Sequence, residues 1–176
     1  MPKFDASQAE CFVSVYREGA LAAVGHDLKL RVTDFTIEIT IEPPAIRAEF
    51  RAESLRVVGT LKNNRVNENE PAPPDKREIE ENIHTEALEV RKYPTILFHS
   101  TSVEKDGNTY RVTGWLELHG FRREMTFTAE QGSDRVVTKV LVHQPDFGIT
   151  PFRAFMGMLR VKPDVFVELS VPFAVT

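Results

Sequence analysis

Through most of the chain apolar side chains fall on alternate positions, and this period of two restricts the fold more than any other feature. Leu28, Leu30 and Val32 share one parity, while Phe35, Ile37, Ile39 and Ile41 take the other. Strands with one buried face read this way, because successive side chains point to opposite sides of a pleated backbone. The change of parity requires one inserted residue, which a β-bulge supplies while bending its strand. Laid straight, Leu28 to Glu42 would reach roughly 50 Å at about 3.3 Å per residue. A single domain has no room for that length, so one long, bent strand is expected.

The pattern continues downstream. Ile46, Ala48, Phe50 and Ala52 form the next alternating run after Pro43-Pro44, with Leu55 to Val58 as an extension. "KNNRVNENEPAPPDK" is polar and broken by proline, and reads as the one long loop. In "DKREIEENIHTEAL", Ile79, Ile83 and Ala87 recur at helical spacing, which predicts one short amphipathic helix with Asp75 as its N-cap. In "YPTILFHSTSVEKDGNTYRVTGWLELHG" the even positions Ile96, Phe98, Tyr110, Val112, Leu116 and Leu118 are apolar. A three-residue Lys105-Asp106-Gly107 loop would pair even with even and set Phe98 opposite Gly114. Further strands are expected at Met125–Glu130, Val136–Val142 and Val165–Phe173. Seven or eight antiparallel strands and one helix result. Closure into a barrel removes the exposed edges such a set would otherwise carry, so the expected class is all-β, an antiparallel barrel of about eight strands.

Composition narrows the functional classes. The 176 residues suit one domain spanning 1–176. A net charge of −4 gives no basic field to gather nucleic acid. Cys11 is the only cysteine, so no intrachain disulfide or thiolate metal cluster can form. No stretch approaches the roughly 20 apolar residues of a membrane span, and no leader-like run opens the chain. A cytoplasmic protein without stable membrane insertion is the expectation.

Common nucleotide, hydrolase and metalloprotease fingerprints are absent. The histidines at 26, 84, 99, 119 and 143 lack ligand spacing, and both His99 and His119 are expected to point outward, so no metal or other cofactor is assigned. Cys11, within "ECFVSVY", reads as a small buried hydrophobe. Asp27, Asp34, Asp146 and Asp164 read as strand-end and turn residues. "PDFGITPFRAFMGMLRV" is different in kind: phenylalanines and methionines are interrupted by Gly148, Pro151 and Gly157. Such a stretch either plugs the core or offers an adaptable apolar lining, with Arg153 and Arg160 available to an acidic head group. A barrel of about eight strands is filled by side chains or holds one small ligand. The small residues Ala48, Ala52, Ser100, Ser102 and Gly114, expected inward, favour an interior that is not wholly filled.

"GHDLKLRVTDF", "VRKYPTILFHSTSV", "YRVTGWLELHG" followed by "REMTFTAE", the late "DFGI" and the final "DVFVELSVPF" occur in an order that resembles the YceI-like family. That resemblance implies an extended, lipocalin-like barrel that binds polyisoprenoids or similar amphiphiles without catalysis. A carrier, storage or protective role follows, with a long-chain isoprenoid or lipid as partner. On that reading the expected tail contacts are Phe50, Phe98, Leu116, Phe127, Phe147, Phe152, Phe155, Met156 and Met158, and the expected head-group contacts are His26 and Arg153. Two alternatives stand beside it. One is a barrel enzyme with His26 as general base near Asp27 or Asp146. The other is a ligand-free interaction module, and an outward Trp115 beside Leu97 would suit a homodimer contact.

Overall fold

The computed structural model describes residues 2–20, 25–157 and 159–173, and the side chains of all of these except Ala154, Phe155 and Leu159. The alternating runs become strands. In chain order they are β1 (Lys3–Asp5), β2 (Glu10–Val15), β3 (Arg17–Glu18), β4 (Asp27–Val32), β5 (Phe35–Thr40), β6 (Ala45–Arg51), β7 (Leu55–Lys62) and β8 (Arg65–Asn67). A helix, α1 (Pro73–Asn82), runs into a π-helical turn at Ile83–Ala87. There follow β9 (Thr95–Asp106), β10 (Thr109–Leu118), β11 (Phe121–Gln131), β12 (Arg135–His143), β13 (Arg153–Ala154), β14 (Leu159–Val161) and β15 (Asp164–Pro172).

Twelve strands make one antiparallel sheet in the order β1-β5-β6-β9-β10-β11-β12-β15-β2-β4-β7-β8, and β13, β14 and β3 make a second, small one. The large sheet is strongly curled, as a half-barrel. The closed eight-strand barrel expected from the sequence is therefore not what forms. The physical reason lies at three chain corners. Residues 28–42 do not make one bulged strand: β4 pairs with β2 and β7, whereas β5, two residues later, pairs with β1 and β6. In the same way β1 gives way to β2 and β6 to β7, so at each corner the chain passes to a strand at a different place in the curl. Parity changes at Thr33-Asp34 because the chain turns a corner.

Ser54, 6% exposed, pins two of these corners. Its Oγ accepts from the Asp34 amide at 3.0 Å and donates to the Arg51 carbonyl at 2.8 Å. Its own carbonyl accepts from the Thr33 amide at 3.1 Å and the Thr33 hydroxyl at 2.9 Å. Beneath the corners Phe35 stacks on Phe50 with ring centroids 5.6 Å apart, within a cluster that includes Ala9, Cys11, Val32, Ile37 and Val112.

Four local features differ from these expectations. The hairpin between β9 and β10 turns on two residues, Gly107-Asn108, because Asp106 pairs with Thr109; Gly107 takes φ 60°, which suits a tight hairpin turn. Even and odd positions then pair, and an extra residue, Thr101, restores the match, so Phe98 faces Leu116 and Gly114 faces Ser100. The polar loop contains a hairpin of its own, β7–β8, turned on Asn63 (φ 51°) and Asn64 (φ 60°). The helix begins at Pro73 with Ala72 as N-cap, which places Asp75 in the first turn, where a carboxylate meets the helix dipole. His119, expected to point outward, is buried in the β10–β11 turn at φ 53°.

Candidate functional site

Each alternating run contributes one wall of a cavity of about 1,410 Å³ inside the curl. Sites for drug-sized molecules typically enclose about 300–1,000 Å³, so this space suits something longer. The walls are apolar: Val13 and Val15 from β2, Leu28 and Leu30 from β4, Ile96 and Phe98 from β9, Val167 and Leu169 from β15. The bulge at Thr101 makes β9 change the parity it presents, so Val103 and Lys105 continue the wall begun by Ile96 and Phe98. Cys11 also lines it, and burial pushes its thiol up to about 12. A thiol so held is protonated and acts as part of the apolar wall.

The wall reaches solvent beside the small sheet. Phe152, 46% exposed, together with Arg153 and Arg160, belongs both to the surface and to the lining. Strand pairing sets Arg153 opposite Arg160, Arg160 opposite Glu18, and Val161 opposite Arg17. Two of the three guanidinium groups are already held. Arg17 Nη1 lies 3.1 Å from Asp27 Oδ1, which also accepts from the Arg17 amide at 2.9 Å. Arg160 Nε donates to Glu18 Oε1 at 2.8 Å. Among the described residues Arg153 has no carboxylate partner, so it is the cation with capacity to spare at this rim. His26, next to Asp27 in the chain, also lines the cavity. A second apolar rim is formed at Ile41, which is 73% exposed and lines the same space.

The expected tail contacts divide accordingly. Phe50, Phe98, Leu116, Phe127 and Phe152 line the cavity, and Phe98 and Phe127 meet with centroids 5.5 Å apart. Phe147 is buried in a second cluster with Leu118, Val142 and Ile149, beyond the lining. Met156 points fully into solvent. The Phe155 side chain and Met158 lie outside the described residues. Both expected head-group residues, His26 and Arg153, border the cavity. Sequence reasoning missed Arg17 and its bond to Asp27, since nothing in spacing links two strand ends that only the fold brings together.

Among the described residues no hydrogen bond joins His26 to a carboxylate; Asp27 is engaged by Arg17, and Asp146 is exposed. No group of three or more histidine, cysteine or acidic side chains gathers in metal-binding geometry among the described residues. No helix among them is long and apolar enough to cross a membrane.

The fold is shared with solved structures at low sequence identity. BcnA of Burkholderia cenocepacia superimposes with a TM-score of 0.70 at 12% identity, over 97% of this chain and 99% of that one. A YceI protein of Campylobacter jejuni gives 0.60 at 14% identity over 84% of each chain. A polyisoprenoid-binding domain from Saccharophagus degradans, implicated in plant cell wall breakdown, gives 0.58 at 12% identity, over 96% of this chain and 99% of that one. No curated protein matches in sequence. The YceI-like domain model matches residues 3–173, and the chain thus belongs to the YceI-like family.

Proposed function

We propose that this protein binds one long-chain apolar amphiphile, a polyisoprenoid or a fatty-acid-like lipid, as a carrier, storage or protective protein without catalysis. The observation that carries the reading is the cavity of about 1,410 Å³ with its continuous apolar walls. An empty space of this size next to water is unfavourable, and filling it with hydrocarbon gains about 0.8 kcal/mol per buried methylene. Ten methylenes would contribute about 8 kcal/mol before ordering costs, enough for useful affinity with no further contact. The tail would lie against Phe50, Phe98, Leu116 and Phe127, with Phe152 at the rim. The polar head would rest near His26 and Arg153. The description of the Saccharophagus degradans relative as polyisoprenoid-binding supports the same ligand class.

Native mass spectrometry of the purified protein, paired with solvent extraction, tests the proposal. A bound species that extraction releases, or uptake of an added polyprenol by the stripped protein, is expected. Recovery of no lipid together with no uptake would overturn it.

A further inference from the structure

The curled sheet is not equally laced along its length. β10 and β11 pair at every position from Thr109–Glu130 to Leu118–Phe121, and β12 and β15 pair from Arg135–Pro172 to His143–Asp164. Between these two ladders, β11 and β12 pair only at Ala129–Thr138, Glu130–Val137 and Gln131–Val136. Both strands continue well beyond that point. Residues 122–128 of β11 therefore have a ladder partner only in β10, and residues 139–143 of β12 only in β15. The Thr138 hydroxyl, donating to the Thr128 carbonyl at 2.7 Å, is the last tie before the strands part.

A cleft of about 430 Å³ occupies the parted seam. Its outer sides are Arg111, Thr126, Thr128, Lys139 and Leu141, and its floor is Met125, Phe127 and Val140. Those same three floor residues line the large cavity. Side chains, not backbone hydrogen bonds, thus separate the cavity from the outside here, and side chains change rotamer far faster than a ladder unzips.

The wide end of the seam is filled by the short 3-10 turn Gln144–Phe147, which packs against β11. Gly148, at φ 66°, lets this turn approach: a Cβ there would come within 2.4 Å of the Phe121 ring. The turn is tied down by His119, whose Nδ1–H donates to the Phe147 carbonyl at 3.0 Å while Nε2 lies 2.6 Å from Glu89 Oε2. Tyr93 packs against the imidazole with centroids 4.6 Å apart. The seam is zipped at one end, latched at the other and open to side-chain motion between.

We propose that the parted β11–β12 seam is a lateral portal through which the apolar chain enters and leaves the cavity sideways, past Met125, Phe127 and Val140. This rests on the binding function proposed above. A portal changes the height of the barrier and not the energies of the bound and free states, so closing it must slow entry and exit together.

The test clamps the folded protein. Thr126→Cys and Leu141→Cys stand on opposite sides of the cleft, both exposed; Cys11 is buried and stays out of the reaction. A short, reducible bis-maleimide joins them after folding, and single-cysteine variants carrying the same reagent control for surface modification. The probe is cis-parinaric acid, a fluorescent polyene fatty acid, followed by stopped flow. The expected result is that association and dissociation rates both fall by about tenfold with Kd unchanged, and that reductive cleavage of the linker restores them. Normal binding with unchanged rates in the clamped protein would overturn the portal and leave the binding function standing. Failure of the unclamped protein to take up cis-parinaric acid or polyprenol would overturn both.

Discussion

Two regions border the same cavity and are built on different terms. Around Ser54 the chain turns its corners on backbone amides and carbonyls tied to one another and to the Ser54 hydroxyl, above the stacked rings of Phe35 and Phe50. Beside the small sheet the rim is made of arginine side chains, two already matched with Asp27 and Glu18, and a phenylalanine left half in water. The first region is held by hydrogen bonds that converge on Ser54. The second has, among the described residues, a guanidinium without a carboxylate partner, and exposed apolar surface. The proposed function assigns ligand discrimination to the rim and leaves stability to the corners.

The largest expected effect is at the corners. Phe35→Ala removes a ring that is 2% exposed and forms no part of the cavity lining, and should destabilise the fold by about 3–5 kcal/mol in denaturant titrations. A loss near that of a surface change would show that the corner cluster is not the seat of stability. Ser54→Ala strips both the acceptor for Asp34 N–H and the donor to the Arg51 carbonyl, and should cost about 1–3 kcal/mol, read the same way. Arg153→Ala reverses the pattern: stability should stay within about 0.5 kcal/mol. Affinity for an anionic chain such as cis-parinaric acid should fall about tenfold, equal to about 1.4 kcal/mol, and equal affinity in wild type and variant would take the head group away from this rim.

The smallest effect sharpens the picture of the cavity wall. The Cys11 thiol is raised from 9.0 to about 12 by burial. Its contribution to stability is complete below pH 9, where folded and unfolded chains both hold the proton, and declines as pH rises toward about 12, because the unfolded chain ionises first. Unfolding curves at pH 8 and pH 10 should therefore diverge more for the wild type than for Cys11→Ala. Identical pH dependence in the two proteins would mean that the thiol is not held dry.

Much of this was legible in the residues. The alternating positions of β10 and β15, namely Val112, Leu116, Leu118, Val165, Val167 and Leu169, do face the cavity, because burial on one side of a pleated strand leaves a pattern that side chains cannot hide. The parity switch at Phe35 was visible too, but periodicity registers only that a residue has been added. A bulge and a corner add one alike, and which occurs depends on strands far away in sequence. The rim illustrates the same limit: Arg153 and His26 stand out locally, whereas the role of Arg17 depends on Asp27 reaching it across the ends of two strands. Met156 belongs to the same apolar run as Phe152, yet one stands in solvent and the other at the rim, because glycine and proline had already broken the period that would tell them apart.

The extra residue Thr101 has a consequence for inheritance. On one side of it Ile96 and Phe98 face the cavity; on the other, Val103 and Lys105 do. Substitutions along β9 change the lining one side chain at a time, and selection can sample them gradually. Deleting Thr101 would instead remove the bulge and leave a regular ladder, with Val103 still toward hydrocarbon and Ser102 and Glu104 still toward water, whereas deleting an ordinary paired residue of β9 would turn the segment on one side of it inside out in a single event. Lineages of this fold should accordingly gain or lose a residue at the bulge with little change to the lining, and resist a change of length elsewhere in β9, so that where a residue is added matters more than whether one is.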